Sequence, residues 1–188
     1  MNVKFASKFF LSLSICIILI SCNNQEKEYS NLQNIISACE KEIQANPDYD
    51  SRIQVCNNAI NSINKFLQDF SSGQQVDLAR ISLQSWETKK EDLTNKINDL
   101  HHRLNNLLES KVKEAASKKH VFSNITKIEA PKPTINKQGY KIIVNNTYQI
   151  RMEGILLGRI SKLSVHVTGW IDQEKDEVHV SNDVKIEE

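Results

Sequence analysis

The 188 residues carry 24 Lys and Arg against 23 Asp and Glu, for a formal net charge of +1. Such a balance gives no electrostatic reason to expect nucleic-acid or polybasic membrane binding, and the length suits one mid-sized domain or two small ones. Gly (5) and Pro (3) are scarce, which points to a helix-rich body.

Lys4 and Lys8 precede an apolar run from Phe9 to Ile20, and polar Asn23-Asn24-Gln25-Glu26 follows at once. A basic lead and about a dozen apolar residues before a small one make a secretory signal peptide, too short for a comfortable membrane span. The last four residues, Leu19-Ile20-Ser21-Cys22, resemble the lipobox of bacterial lipoproteins. The resemblance implies removal of residues 1–21, lipidation of Cys22 and a membrane-anchored, extracytoplasmic protein. In a Gram-negative source it further implies the outer membrane, because Asn23 and not aspartate follows the cysteine. The other readings are an ordinary secreted protein and an uncleaved anchor. Without Lys4 and Lys8 the balance becomes 22 basic to 23 acidic residues.

Residues 22–28 read as a charged tether, and a helical domain is expected over 29–119. Tyr29, Leu32, Ile36, Cys39 and Ile43 step by three and four, which puts them on one helical face. Asn46-Pro47-Asp48 breaks that helix. A second helix carries Ile53, Cys56, Ile60, Ile63, Leu67 and Phe70 and ends at Ser71-Ser72-Gly73. In an antiparallel hairpin centred on Asp48, Cys39 and Cys56 stand at nearly the same height on the inward seam. The spacing predicts a Cys39–Cys56 disulfide in an oxidising compartment, worth roughly 3 kcal/mol. Two buried thiols packed as small hydrophobes are the alternative.

From Gln74 to about Lys119 the spacing predicts one long helix. Val76, Ala79, Leu83, Trp86, Lys90, Leu93, Ile97, Leu100, Leu104, Leu107 and Lys111 hold a four-three heptad step. At ~1.5 Å per residue the shorter hairpin helices cover this seam only to about Leu93. Ile97, Leu100, Leu104, Leu107, Leu108 and Val112 are therefore expected to need a cover: the β segment folding back, a second copy of the chain through 93–119, or an envelope protein. A break at His101-His102 is the alternative to a continuous helix. Phe66-Leu67-Gln68-Asp69-Phe70-Ser71-Ser72-Gly73 followed by Leu78-Ala79 resembles the helix-turn-helix join of tetratricopeptide-like repeats in envelope-assembly lipoproteins. The usual turn proline is missing and no second copy appears at a period near 34. The likeness implies a helical interaction module and nothing finer.

Residues 120–138 read as a linker or a first strand through Phe122, Ile125 and Ile128, with Pro131-Lys132-Pro133 as a hinge. Over 139–188 the period becomes two, predicting an antiparallel β module. Ile142, Val144, Tyr148, Ile150 and Met152 share one face, and Leu163, Val165, Val167, Gly169 and Ile171 share one face of the next strand. Val178, Val180, Val184 and Ile186 give a last strand. The turn Ile155-Leu156-Leu157 is expected to tuck under the long helix, with a docking tip for a partner or a membrane surface as the alternative. Trp170, on the polar face, is expected to cover a contact with its own helix or a partner.

The chain contains no glycine-rich phosphate loop, HExxH helix, GxSxG elbow or paired CxxC motif. Adjacent His101 and His102 point in different directions, and His166 and His179 are expected as solvated edge histidines. The fold class expected is α+β, and the function expected is a structural or adaptor role, not an enzyme. Its partner contacts are placed at Ile97, Leu100, Leu104, Leu107, Leu156 and Trp170, with no cofactor, metal or nucleic acid. The rival classes are a component of a transport or efflux assembly and a small-ligand carrier.

Overall fold

The computed structural model describes the backbone of residues 3–129 and 133–188, and side chains from Asn24 onward within that range. The side chain of Cys22 and the Pro131-Lys132 part of the expected hinge lie outside the described residues. The fold is α+β. Three helices, α1 (Val3–Ala45), α2 (Tyr49–Asp69) and α3 (Gln74–Lys119), precede six strands. These are β1 (Ser123–Glu129), β2 (Thr134–Gln138), β3 (Lys141–Gly154), β4 (Ile160–Asp172), β5 (Glu177–Val180) and β6 (Lys185–Glu187).

The chain separates into two compact units. One comprises residues 1–46 and 50–93, the other residues 47–49 and 94–188. This boundary cuts α3 at Leu93/Thr94, whereas the sequence placed it at the helix end. The expected tether, residues 22–28, is helical and continuous with α1. Neither Gly nor Pro interrupts the chain from Cys22 to Ala45, so nothing stops the helix.

In the helical unit, Leu32, Cys39, Ile43, Val55, Cys56, Ala59, Ile63, Phe66, Val76, Ala79, Trp86 and Leu93 are buried. Phe66 links α1 and α2 through its ring, 5.7 Å from that of Tyr29 and 4.9 Å from that of Phe70. Gly73 ends the α2–α3 turn at φ 114°, a conformation that L side chains rarely adopt. Gln25 Nε2 donates to the Ser72 carbonyl beside it (2.9 Å). The disulfide expected at Cys39 and Cys56 is not formed. Both cysteines are buried free thiols in this structure. Burial pushes both thiols' pKa up, aided at Cys39 by Glu42 and opposed at Cys56 by Lys89 and Arg52.

In the other unit every strand pairing is antiparallel. The long β3–β4 hairpin is the spine. β1 and β2 share one edge of β3, while β5 and β6 share the outer edge of β4. The last alternating segment is thus two short strands, because residues 181–184 leave the ladder between them. β2 takes up the last residues of the stretch read as a linker. The inward face consists of Ile142, Val144, Tyr148, Ile150 and Met152 of β3 with Leu163, Val165, Val167 and Ile171 of β4. Against it lie Leu100, Leu104, Leu108, Val112 and Ala116 of α3, all buried. A Cβ on Gly169 would come within 2.6 Å of Leu104 Cδ1 and 3.1 Å of Leu108 Cδ2, so the glycine lets the helix rest on the strand.

α3 is continuous through His101-His102. Its buried row changes from the heptad step to a strict four-residue step after Leu100. The cause is the change of partner: a helix lying on a twisted sheet follows a different surface row from one seated in a coiled-coil seam. Leu107 consequently leaves the seam and is 46% exposed.

Candidate binding surfaces of the sheet

The seam residues expected to bind a partner are already occupied. Ile97, Leu100 and Leu104 are buried within the β-containing unit, Leu104 with no exposed surface at all. The sheet folding back, one of the three covers considered, closes this stripe. The self-association expected through 93–119 therefore has no open stripe at these three positions.

Residues 47–49 are held to this unit by a polar cluster that the sequence did not disclose. Tyr49 N donates to Gln173 Oε1 (2.8 Å), and Gln173 Nε2 donates to Asp48 Oδ1 (3.2 Å). Lys137 Nζ pairs with the same Asp48 oxygen (2.6 Å). The Tyr49 hydroxyl and the Lys96 ammonium both donate to the Asp176 carboxylate. Burial first, then the bond to Asp176, pushes the Tyr49 hydroxyl's pKa up, while the bonds to Asp176 and Tyr49 push that of Lys96 up. Asp48 alone suggested only helix-start chemistry, since its partners lie about ninety or more residues away. Asp48, Tyr49 and Gln173 form its buried heart and Lys96, Lys137 and Asp176 its half-exposed rim, an arrangement that suits a clasp.

The outer face of the sheet is built in cross-strand rows. Ile143, Trp170 and His179 form one, with the Trp170 and His179 rings stacked at 5.2 Å. Asn145 and Thr168 form the next, Thr168 Oγ1 donating to Asn145 Oδ1 (2.8 Å). Then come Thr147, His166 and Lys185, with Thr147 Oγ1 and His166 Nδ1 at 2.8 Å. Where β5 ends and β6 has not begun, the last two rows border an open polar cleft of about 600 Å³. His166 Nε2 is buried without a hydrogen-bond partner and faces Glu187 at 3.5 Å. Hydroxyl, imidazole and carboxylate stand in relay order here. Thr147 and His166 are direct cross-strand partners in the middle of β3 and β4. The geometry suits hydrogen bonding to a polar partner. Trp170 lies on this face, half-buried against His179, and is not turned toward α3.

The β3–β4 turn does not tuck under α3. Leu156 and Leu157 are 83% and 90% exposed. Ile155 N bonds to the Phe122 carbonyl (2.9 Å), so the turn stands level with residues past the end of the helix, where no helix remains to cover it. Val121, Phe122 and Ile160 are exposed beside it. Gly158 N closes the turn on the Gly154 carbonyl (2.9 Å), with Gly158 at φ 60°.

Among the described residues no group of three His, Cys, Asp or Glu could hold a metal ion, and no helix is long and apolar enough to cross a membrane. The chain matches no family model, and comparison with curated proteins and with solved structures gives no match.

Proposed function

We propose that the chain is a lipid-anchored adaptor of the cell envelope, held at a membrane through acylated Cys22 and binding a protein partner through the outer face of its sheet. The anchoring half rests on the basic lead, the apolar run and Leu19-Ile20-Ser21-Cys22. The partner half rests on one observation. The outer face presents a stacked Trp170–His179 pair beside an open, hydrogen-bonded polar cleft. Stacked aromatics beside fixed donors and acceptors are what a protein–protein contact uses for anchoring and register. The buried seam drops out of this reading.

The test has two arms. Mass spectrometry of protein from native membranes is expected to find the acyl mass on Cys22, and Cys22→Ser is expected to release the chain from the membrane fraction. A photo-reactive residue at position 168, in intact cells, is expected to give one discrete adduct that the same residue at Glu91 does not. An unmodified Cys22 removes the anchor, and identical patterns from both positions remove the binding face.

A further inference from the structure

The end of the sheet that carries the exposed turn also carries a row of like charges. Lys127 stands opposite Arg151, and Arg151 opposite Lys162, so three cations lie side by side across β1, β3 and β4. Like charges in direct cross-strand register oppose folding. The register is moreover a built feature. A bulge between Ile125 and Lys127 adds Thr126 to β1, whose hydroxyl bonds the Arg151 carbonyl (3.1 Å), and thereby aligns Lys127 with Arg151. Lys127 is paired with Glu129, whose carboxyl it holds below the usual range. Arg151 and Lys162 make no ion pair among the described residues. The row borders a cleft of about 340 Å³.

We propose that this end of the sheet docks on the surface of an anionic phospholipid bilayer. Leu156, Leu157 and Phe122 enter the acyl boundary, and the Lys127–Arg151–Lys162 row takes lipid phosphates. The two parts are spaced for that task. Arg151 precedes Gly154 by three residues, which at ~3.3 Å each puts the cations about 10 Å behind the turn. Apolar faces of interfacial proteins sink ≈ 5–10 Å past the headgroups, so the row then stands at phosphate level. Charge also selects the occupant. A second copy would bring an identical cationic row against the first, and an acidic peptide has no use for a protruding Leu-Leu turn. Glu153 is the one acid at the turn itself, set against Arg151, Arg159 and Lys162. This inference stands apart from the processing of Cys22.

The test places a reporter in the turn of the full chain. Leu156→Trp is reconstituted into vesicles of phosphatidylcholine with 30% phosphatidylglycerol, the acyl chains brominated, and read against the unsubstituted chain, whose Trp86 and Trp170 give the background. Tryptophan at 156 is expected to shift blue and to be quenched beyond that background. Adding Arg151→Gln and Lys162→Gln is expected to lower the docked-to-undocked ratio about fivefold for each cation removed. Those substitutions are also expected to leave the urea midpoint unchanged or raised, since they relieve repulsion. No excess quenching in the anionic vesicles, or equal quenching in pure phosphatidylcholine, overturns the proposal. So does a blue shift that grows with protein concentration without lipid, which indicates self-association.

Discussion

Replacing Leu104 with alanine tests whether the lower half of α3 is a core or a landing strip. Leu104 is fully buried, with its Cδ1 atom 2.6 Å from where a Cβ on Gly169 would stand. Truncation of a leucine at such a site costs about 2–5 kcal/mol, and the rigid strand beneath it leaves little room to collapse, so about 3 kcal/mol is expected. Gly169→Ala approaches the same contact from the other side. Its Cβ would meet Leu104 Cδ1 at 2.6 Å and the His179 carbonyl oxygen at 2.9 Å, an overpacking worth about 1–3 kcal/mol. The two changes share an atom and cannot be independent. In the double variant the leucine methyl is gone while the carbonyl remains, so the combined loss is expected to fall short of the sum by about 1 kcal/mol. Urea unfolding followed by fluorescence and far-UV circular dichroism measures all four corners, and sedimentation velocity run alongside reports the oligomeric state. An unaltered midpoint in Leu104→Ala, or a changed oligomeric state with the midpoint intact, refutes a seam closed by the chain's own sheet.

Tyr49→Phe removes the hydroxyl bonded to Asp176 and is expected to cost about 1 kcal/mol by the same unfolding assay. Because the folded state holds that hydroxyl's pKa above its unfolded value near 10, the folded state keeps a proton that the unfolded state loses. Stability of the parent is therefore expected to fall as pH rises above 10, less steeply in Tyr49→Phe, in a pH series of melting curves. Cys39 and Cys56 are expected to resist maleimide at neutral pH in the native chain and to label in urea, as peptide mapping reads out; labelling without denaturant contradicts their burial. Gly73→Ala forces an L side chain to φ 114° beside Gln25, and about 1–2 kcal/mol is expected to be lost from the helical unit; an unshifted melt contradicts it.

Periodicity carried most of the architecture. The span of α3 from Gln74 to Lys119 and the inward faces of β3 and β4 follow from spacing alone, including the buried Asn146 that interrupts the apolar face. What spacing cannot carry is identity of partner. Ile97, Leu100 and Leu104 look the same whether a helix, a copy or a sheet lies on them, and only Gly169, a glycine mid-strand, hinted at a close approach. The clasp around Asp48 and Tyr49 was hidden because Gln173 and Asp176 are distant in sequence and ordinary in type. The β3–β4 turn was legible as apolar but not as bare, since exposure depends on where α3 stops relative to Phe122. The bulge at Thr126 left no mark except one extra residue between Ile125 and Ile128, both of which turn inward.

Tyr49 leaves the ribosome well before Gln173 and Asp176, the groups that receive it, have been made. The lower stripe of α3 likewise waits for strands that are translated after it. Hydrogen bonding over such separations closes large loops, which makes this assembly slow compared with zipping up a helical hairpin. During that interval the nascent chain displays leucines it will later hide. Termination or proteolysis between Lys119 and the start of β3 strands them permanently, leaving a sticky product that quality control can recognise without any knowledge of what the finished molecule does.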